Sequence, residues 1–106
     1  MPHKQLLCPL SELPSSGLRV FEVAGTPLLA GRSIGQCFVY LDRCPHAGAP
    51  LHLGKLRAEE LTCARHGWTF NVMTGASIPD DPTWRLQRVS FCVEGETVFV
   101  ELPTVL

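Results

Sequence analysis

The sequence predicts an all-β fold: an antiparallel β-sandwich scaffold carrying a loop-rich insert. Three observations support this. The 106-residue chain spreads nine glycines and nine prolines between short apolar runs, as expected for many strands joined by turns. Alternation is clearest near the C-terminus, where Val89, Phe91 and Val93 are followed by Val98, Val100 and Leu102. Helical character is confined to KLRAEEL at residues 55–61, which is marginal as a helix by itself.

The elements follow in order. Residues 4–8 form a first strand, and SELPSSG after it is turn chemistry, with serine, proline and glycine clustered. LRVFEVAG is a second strand, with Leu18, Val20 and Val23 roughly alternating. TPLLAG and QCFVYLD are two more, separated by residues 31–35. In the second of these, Phe38 and Tyr40 share one face, while Cys37, Val39 and Leu41 share the other. KLRAEEL reads as a loop with one turn before a strand at residues 61–63. The two C-terminal runs form a hairpin about a tight turn at Glu94-Gly95. The remaining middle, about residues 43–83, is rich in glycine, proline and metal-capable side chains, and loops of this kind are where function concentrates. No internal repeat interrupts the expectation of one domain spanning residues 1–106.

Nine basic against ten acidic residues leave a formal net charge of −1, which offers no electrostatic grip on nucleic acid. No apolar run approaches the roughly 20 residues that span a bilayer. The start, MPHKQLLCPLSEL, has too short an apolar centre for a secretion signal, so a cytoplasmic, reduced protein is expected. Five cysteines, an odd number, make a poor disulfide set. Cys8, Cys37 and Cys92 each sit in an apolar, strand-like setting and are expected to be buried thiols.

Cys44 and His46 stand two apart in CPHAGAP, and Cys63 and His66 three apart in CARHGW. Thiolate and imidazole both bind soft or borderline metals. Structural zinc usually pairs cysteine with cysteine and histidine with histidine, whereas each pair here is mixed. A c-type haem needs two cysteines just before a histidine. A copper site would leave one cysteine unused. A two-iron, two-sulfide cluster accommodates the mixing, with both cysteines on one iron and both histidines on the other.

The segments CPHAGAPLHLGKL and CARHGWTFNVMTG resemble the two cluster-binding loops of Rieske-type ferredoxins, and the likeness is strong over residues 44–82. It implies a Rieske-type fold holding one [2Fe–2S] cluster, with Cys44, His46, Cys63 and His66 as ligands. High-potential members of the family resemble one another in a disulfide between the loops, whose cysteines would fall at Ala49 and Arg65. They also place a serine and a tyrosine where this chain has Trp68 and Phe70. With fewer donors to the cluster sulfurs, the resemblance implies a potential near the low end of the Rieske range, about −150 mV rather than +300 mV. Pro79 and Pro82 suit either the family's third loop over the cluster or a plain surface turn. Trp68 suits a cap on the cluster, a docking residue or a half-buried β aromatic. The pattern WTFN, TG, PDD is similar, more narrowly, to the ferredoxins of multicomponent aromatic monooxygenases.

The resemblance therefore implies a soluble, monomeric one-electron carrier in aromatic hydrocarbon catabolism, between a flavin reductase using NAD(P)H and a terminal oxygenase. Docking would be brief and small, through apolar residues such as Leu51, Trp68 and Pro79. A Rieske subunit bound permanently in a larger reductase is the alternative. A terminal oxygenase needs a second iron site, for which only His3 and His52 remain. Both are expected to be ordinary surface or hydrogen-bonded imidazoles. Glu59 and Glu60 read as a solvated loop face, and no nucleophile has a credible base. The chain is thus expected to be an electron-transfer component rather than an enzyme.

Overall fold

The computed structural model describes residues 4–13, 17–33, 36–45, 50–64, 67–79, 81 and 84–102. Among these lie ten strands and no α-helix. In chain order the strands are β1 (Lys4–Pro9), β2 (Gly17–Val23), β3 (Thr26–Ser33), β4 (Gln36–Leu41), β5 (Lys55–Arg57), β6 (Glu60–Thr62), β7 (Thr69–Asn71), β8 (Ser77–Ile78), β9 (Ser90–Glu94) and β10 (Thr97–Glu101). They form three antiparallel sheets, ordered β1-β10-β9, β2-β3-β4 and β5-β6-β7-β8.

The sheet β2-β3-β4 is the wall of the molecule, and its sequence explains why. QCFVYL is apolar from Cys37 to Leu41, so β4 can bury both faces. Phe38 and Tyr40 turn with Leu29 into one apolar cluster, which also holds Cys44, Leu51, Leu61, Cys63, Phe70, Val72 and Leu86. Val39 turns the other way, with Leu28 and Ala30, into a second cluster with Cys8, Val98 and Val100. The second cluster joins the wall to the sheet of β1, β10 and β9. The first joins it to the small sheet β5–β8. The antiparallel scaffold and the two faces expected for β4 are both present.

Several local expectations are corrected. KLRAEEL is not a loop with one turn. It is a strand, a two-residue turn and a strand, with Leu56 opposite Leu61 and the turn made by Ala58 at φ 54°. Leu61 is fully buried, and burying it outweighs the helical propensity of the alanine and glutamates. In β2 the buried face is carried by Phe21 and Val23, and Val20 is exposed. The C-terminal turn is Gly95-Glu96, one residue later than expected, because Thr97 pairs with Glu94; Gly95 supplies the positive φ of 63°. Of the three thiols expected to be buried, Cys8 is, Cys37 is partly buried and Cys92 is exposed. Cys92 lies on β9, an edge strand whose five residues all face solvent. For the same reason Phe91 and Val93 are exposed, although their partners Val100 and Val98 are buried.

Candidate metal centre

Two loops leave the wall and the small sheet, at Cys44 and Cys63 respectively. Each cysteine has 1% of its surface exposed, and both belong to the same apolar cluster. Cys44 follows the end of β4, where the Asp42 N–H donates to the Pro27 carbonyl (3.1 Å) and the Arg43 N–H to that of Leu41 (2.8 Å). Cys63 follows β6. Its N–H donates to the Trp68 carbonyl at 2.7 Å, and its carbonyl accepts from the Gly67 N–H at 3.0 Å. These two bonds tie Gly67 and Trp68 back to Cys63, with Gly67 at φ 71°, a value few residues other than glycine adopt readily. The first loop returns through Pro50 into a 3-10 turn, Leu51–Leu53, which buries Leu51. Gly54 then passes so close to β6 that a Cβ there would lie 2.2 Å from the Thr62 carbonyl oxygen. The exit of the first loop at Gly54 is therefore pressed against Thr62, next to Cys63.

The floor of the site is built from the wall and from the turn after β7. The Tyr40 hydroxyl donates to the Val72 carbonyl at 2.5 Å, tying the two together. Burial raises the Tyr40 phenol above its ordinary value, and a hydrogen bond and charge from Arg88 partly oppose that rise. The turn itself is held by Asn71, whose Oδ1 accepts from the N–H groups of Met73 (2.8 Å) and Thr74 (3.1 Å). A third loop follows β8. It folds around the buried Ser77, whose hydroxyl accepts from the Asp81 N–H at 2.8 Å and lies 3.0 Å from the Pro79 carbonyl. Trp84, beyond that loop, meets Trp68 edge to face with ring centroids 5.5 Å apart.

The structure thus brings Cys44 and Cys63 to one buried place. His46, His66, Ala49, Arg65 and Pro82 lie outside the described residues, as does His3. Among the described residues the cysteines form no disulfide, and no three His, Cys, Asp or Glu side chains group at metal-holding distance. Two buried thiols in one apolar cluster, each followed within three residues in sequence by a histidine, fit the donor chemistry of an iron–sulfide cluster. Trp68 is half-buried and packs on the same cluster of side chains. Pro79 is exposed. Leu51 is not available as a docking residue, since it is 0% exposed beneath the first loop. Leu53 and Ile78 offer apolar surface instead, at 62% and 44% exposure. Sequence reading missed them because the 3-10 turn, not composition, decides which leucine points inward. His52 is hydrogen-bonded, as expected, and its partner is the buried carboxylate of Asp42.

Comparison with known proteins agrees with this arrangement. A family profile described as the Rieske [2Fe-2S] domain matches residues 3–90. The chain is similar to chlorophyllide a oxygenase of Chlamydomonas reinhardtii, 40% identical over 62 residues, covering 58% of this chain but only 10% of that protein. It is also similar to the ferredoxin subunit of 3-phenylpropionate/cinnamic acid dioxygenase of Shigella boydii, 28% identical over 98 residues, covering 91% of each. Among solved structures, it matches a chain of a complex of reduced oxygenase and oxidized ferredoxin in carbazole 1,9a-dioxygenase. The TM-score is 0.79 at 28% identity, with 92% of each chain covered.

Proposed function

This chain belongs to the Rieske [2Fe-2S] domain family and so holds one [2Fe–2S] cluster, and we propose that it is a one-electron carrier serving a terminal oxygenase of the aromatic-ring type. The observation that carries the reading is the pair of buried cysteines, Cys44 and Cys63, in one apolar cluster, with Gly54 pressed against Thr62 beside Cys63. When bound, the cluster supplies one-electron redox chemistry at a potential set by its ligands and surroundings.

The chain's own residues do the rest. Cys44 and Cys63 would hold one iron as thiolates, and His46 and His66 would hold the other as neutral imidazoles. Two imidazoles in place of two thiolates remove two negative charges, so an added electron meets less repulsion. Leu61, Phe70 and Val72, all fully buried, keep water from the thiolate side. Phe70 and Trp68 bring no hydroxyl, which holds the potential near the low end of the Rieske range.

Docking is brief and passes through the loop surface, with Trp68, Pro79, Leu53 and Ile78 as apolar contacts in a polar rim. The electron donor is a flavin reductase using NAD(P)H, and the chain acts as a cytoplasmic monomer. The WTFN, TG and PDD pattern favours an oxygenase of the aromatic monooxygenase kind.

Reconstitution tests this. With catalytic amounts of the chain, such a reductase and an aromatic-ring oxygenase, product formation should rise with chain concentration and saturate. A chain that co-purifies only as a fixed subunit of a larger reductase, and never exchanges between partners, would overturn the shuttle.

A further inference from the structure

We propose that Asp42 and His52 form a positioning staple that closes the base of the first ligand loop and fixes where Cys44 is presented. This rests on the ligand assignment above. Asp42 is held at one end of the loop by its backbone bond to Pro27 on β3, and its side chain is 3% exposed. Its carboxylate takes two bonds from the other end. Oδ1 accepts the His52 backbone N–H at 2.8 Å, and Oδ2 lies 2.5 Å from His52 Nδ1.

The chain before Cys44 and the chain at His52 are thus clipped together by a single side chain. Leu51, next to His52, is fully buried, so the clip is seated on the core rather than in solvent. A buried carboxylate is costly unless its lone pairs are taken, and bonds to a charged acceptor are among the stronger ones. Removing the ring leaves Oδ2 without that bond, and the loop base is free to spread. Groups that orient metal ligands from behind typically change metal retention by about 10–100-fold when removed. His52 is therefore a positioning residue, although it lies outside the ligand spacing.

The test uses full-length protein loaded with its cluster. Three quantities are measured: the rate of iron loss to a chelator, the electron paramagnetic resonance line shape after reduction, and the reduction potential. His52→Ala should lose iron at least about tenfold faster than the parent and show an altered line shape and potential. His52→Asn, whose amide can donate from the same place as Nδ1, should stay close to the parent. Val98→Ala, in the other apolar cluster, should melt earlier yet keep the parent's loss rate and line shape. The staple is overturned if His52→Ala retains the parent's rate and line shape, or if Val98→Ala accelerates loss equally. Should His52→Ala fail to fold, His52→Leu keeps side-chain bulk but carries no ring nitrogen for Oδ2. An unaltered loss rate in that variant overturns the staple as well. A parent protein that loads no cluster defeats the ligand assignment instead, and the two failures are told apart by that control.

Discussion

Gly54→Ala should separate the two cysteine-bearing loops. Gly54 has φ −79°, a conformation any residue adopts, so the substitution adds no backbone strain. Its effect is steric. The new methyl would sit 2.2 Å from the Thr62 carbonyl oxygen and 3.2 Å from that of Leu51. Both neighbours are backbone, so no side chain can rotate away. Reaching ordinary contact requires the chain at Gly54 and β6 to part by roughly 1 Å, and overpacking of this kind costs about 1–3 kcal/mol. Thr62 immediately precedes Cys63, so that movement falls directly on the geometry of the metal centre. For a domain of this size the melting temperature should fall by roughly 10 °C, and the iron and acid-labile sulfide retained after desalting should fall with it. Gly95→Ala is the control. Gly95 has φ 63° and nothing within 4 Å of its Cβ position, so it should lose about 1 kcal/mol to backbone strain and load normally. A Gly54→Ala protein with the parent's melting temperature and iron content would refute the close approach of the loops.

Other outcomes are expected. Tyr40→Phe removes the donor to the buried Val72 carbonyl and should cost about 1–3 kcal/mol in denaturant unfolding, with an unchanged m-value. Burial raises the Cys8 thiol above its ordinary value of 9.0, with Glu12 adding to the rise. A group held protonated in the fold stabilises it fully below its unfolded value, so stability should be level up to about pH 9 and then fall as pH rises; Cys8→Ala should flatten that limb in unfolding measured from pH 7 to 10.5. Redox titration should place the potential nearer about −150 mV than +300 mV, and Trp68→Ser, which restores a hydroxyl beside the loop, should raise it.

Much of the scaffold is written in local alternation. Phe38 and Tyr40 against Cys37, Val39 and Leu41 already state that β4 divides two cores, because strand periodicity is fixed by covalent geometry. Cys44 and Cys63, which fall in one buried cluster, stand out in the sequence as well, since metal chemistry constrains residue type and spacing; His46 and His66 lie outside the described residues. What sequence could not give depends on tertiary placement. Cys92, Phe91 and Val93 read as buried until β9 is known to be an edge. KLRAEEL reads as a loop with one turn until Leu61 has a core to enter. Leu51 and Leu53 are indistinguishable by composition, yet the 3-10 turn buries one and exposes the other. The bond between Asp42 and His52 joins residues ten apart in a loop, where no periodic signal exists to announce it.

Whether two imidazoles share the outer metal is decided by the paramagnetic spectrum of dithionite-reduced protein, read with its nitrogen couplings. A mixed-valent iron pair coupled to two histidine nitrogens, lost or lowered in potential on replacing His46 or His66 with cysteine, is the expected result. A colourless protein carrying one zinc per chain, or a spectrum without nitrogen coupling that is indifferent to both substitutions, would contradict it.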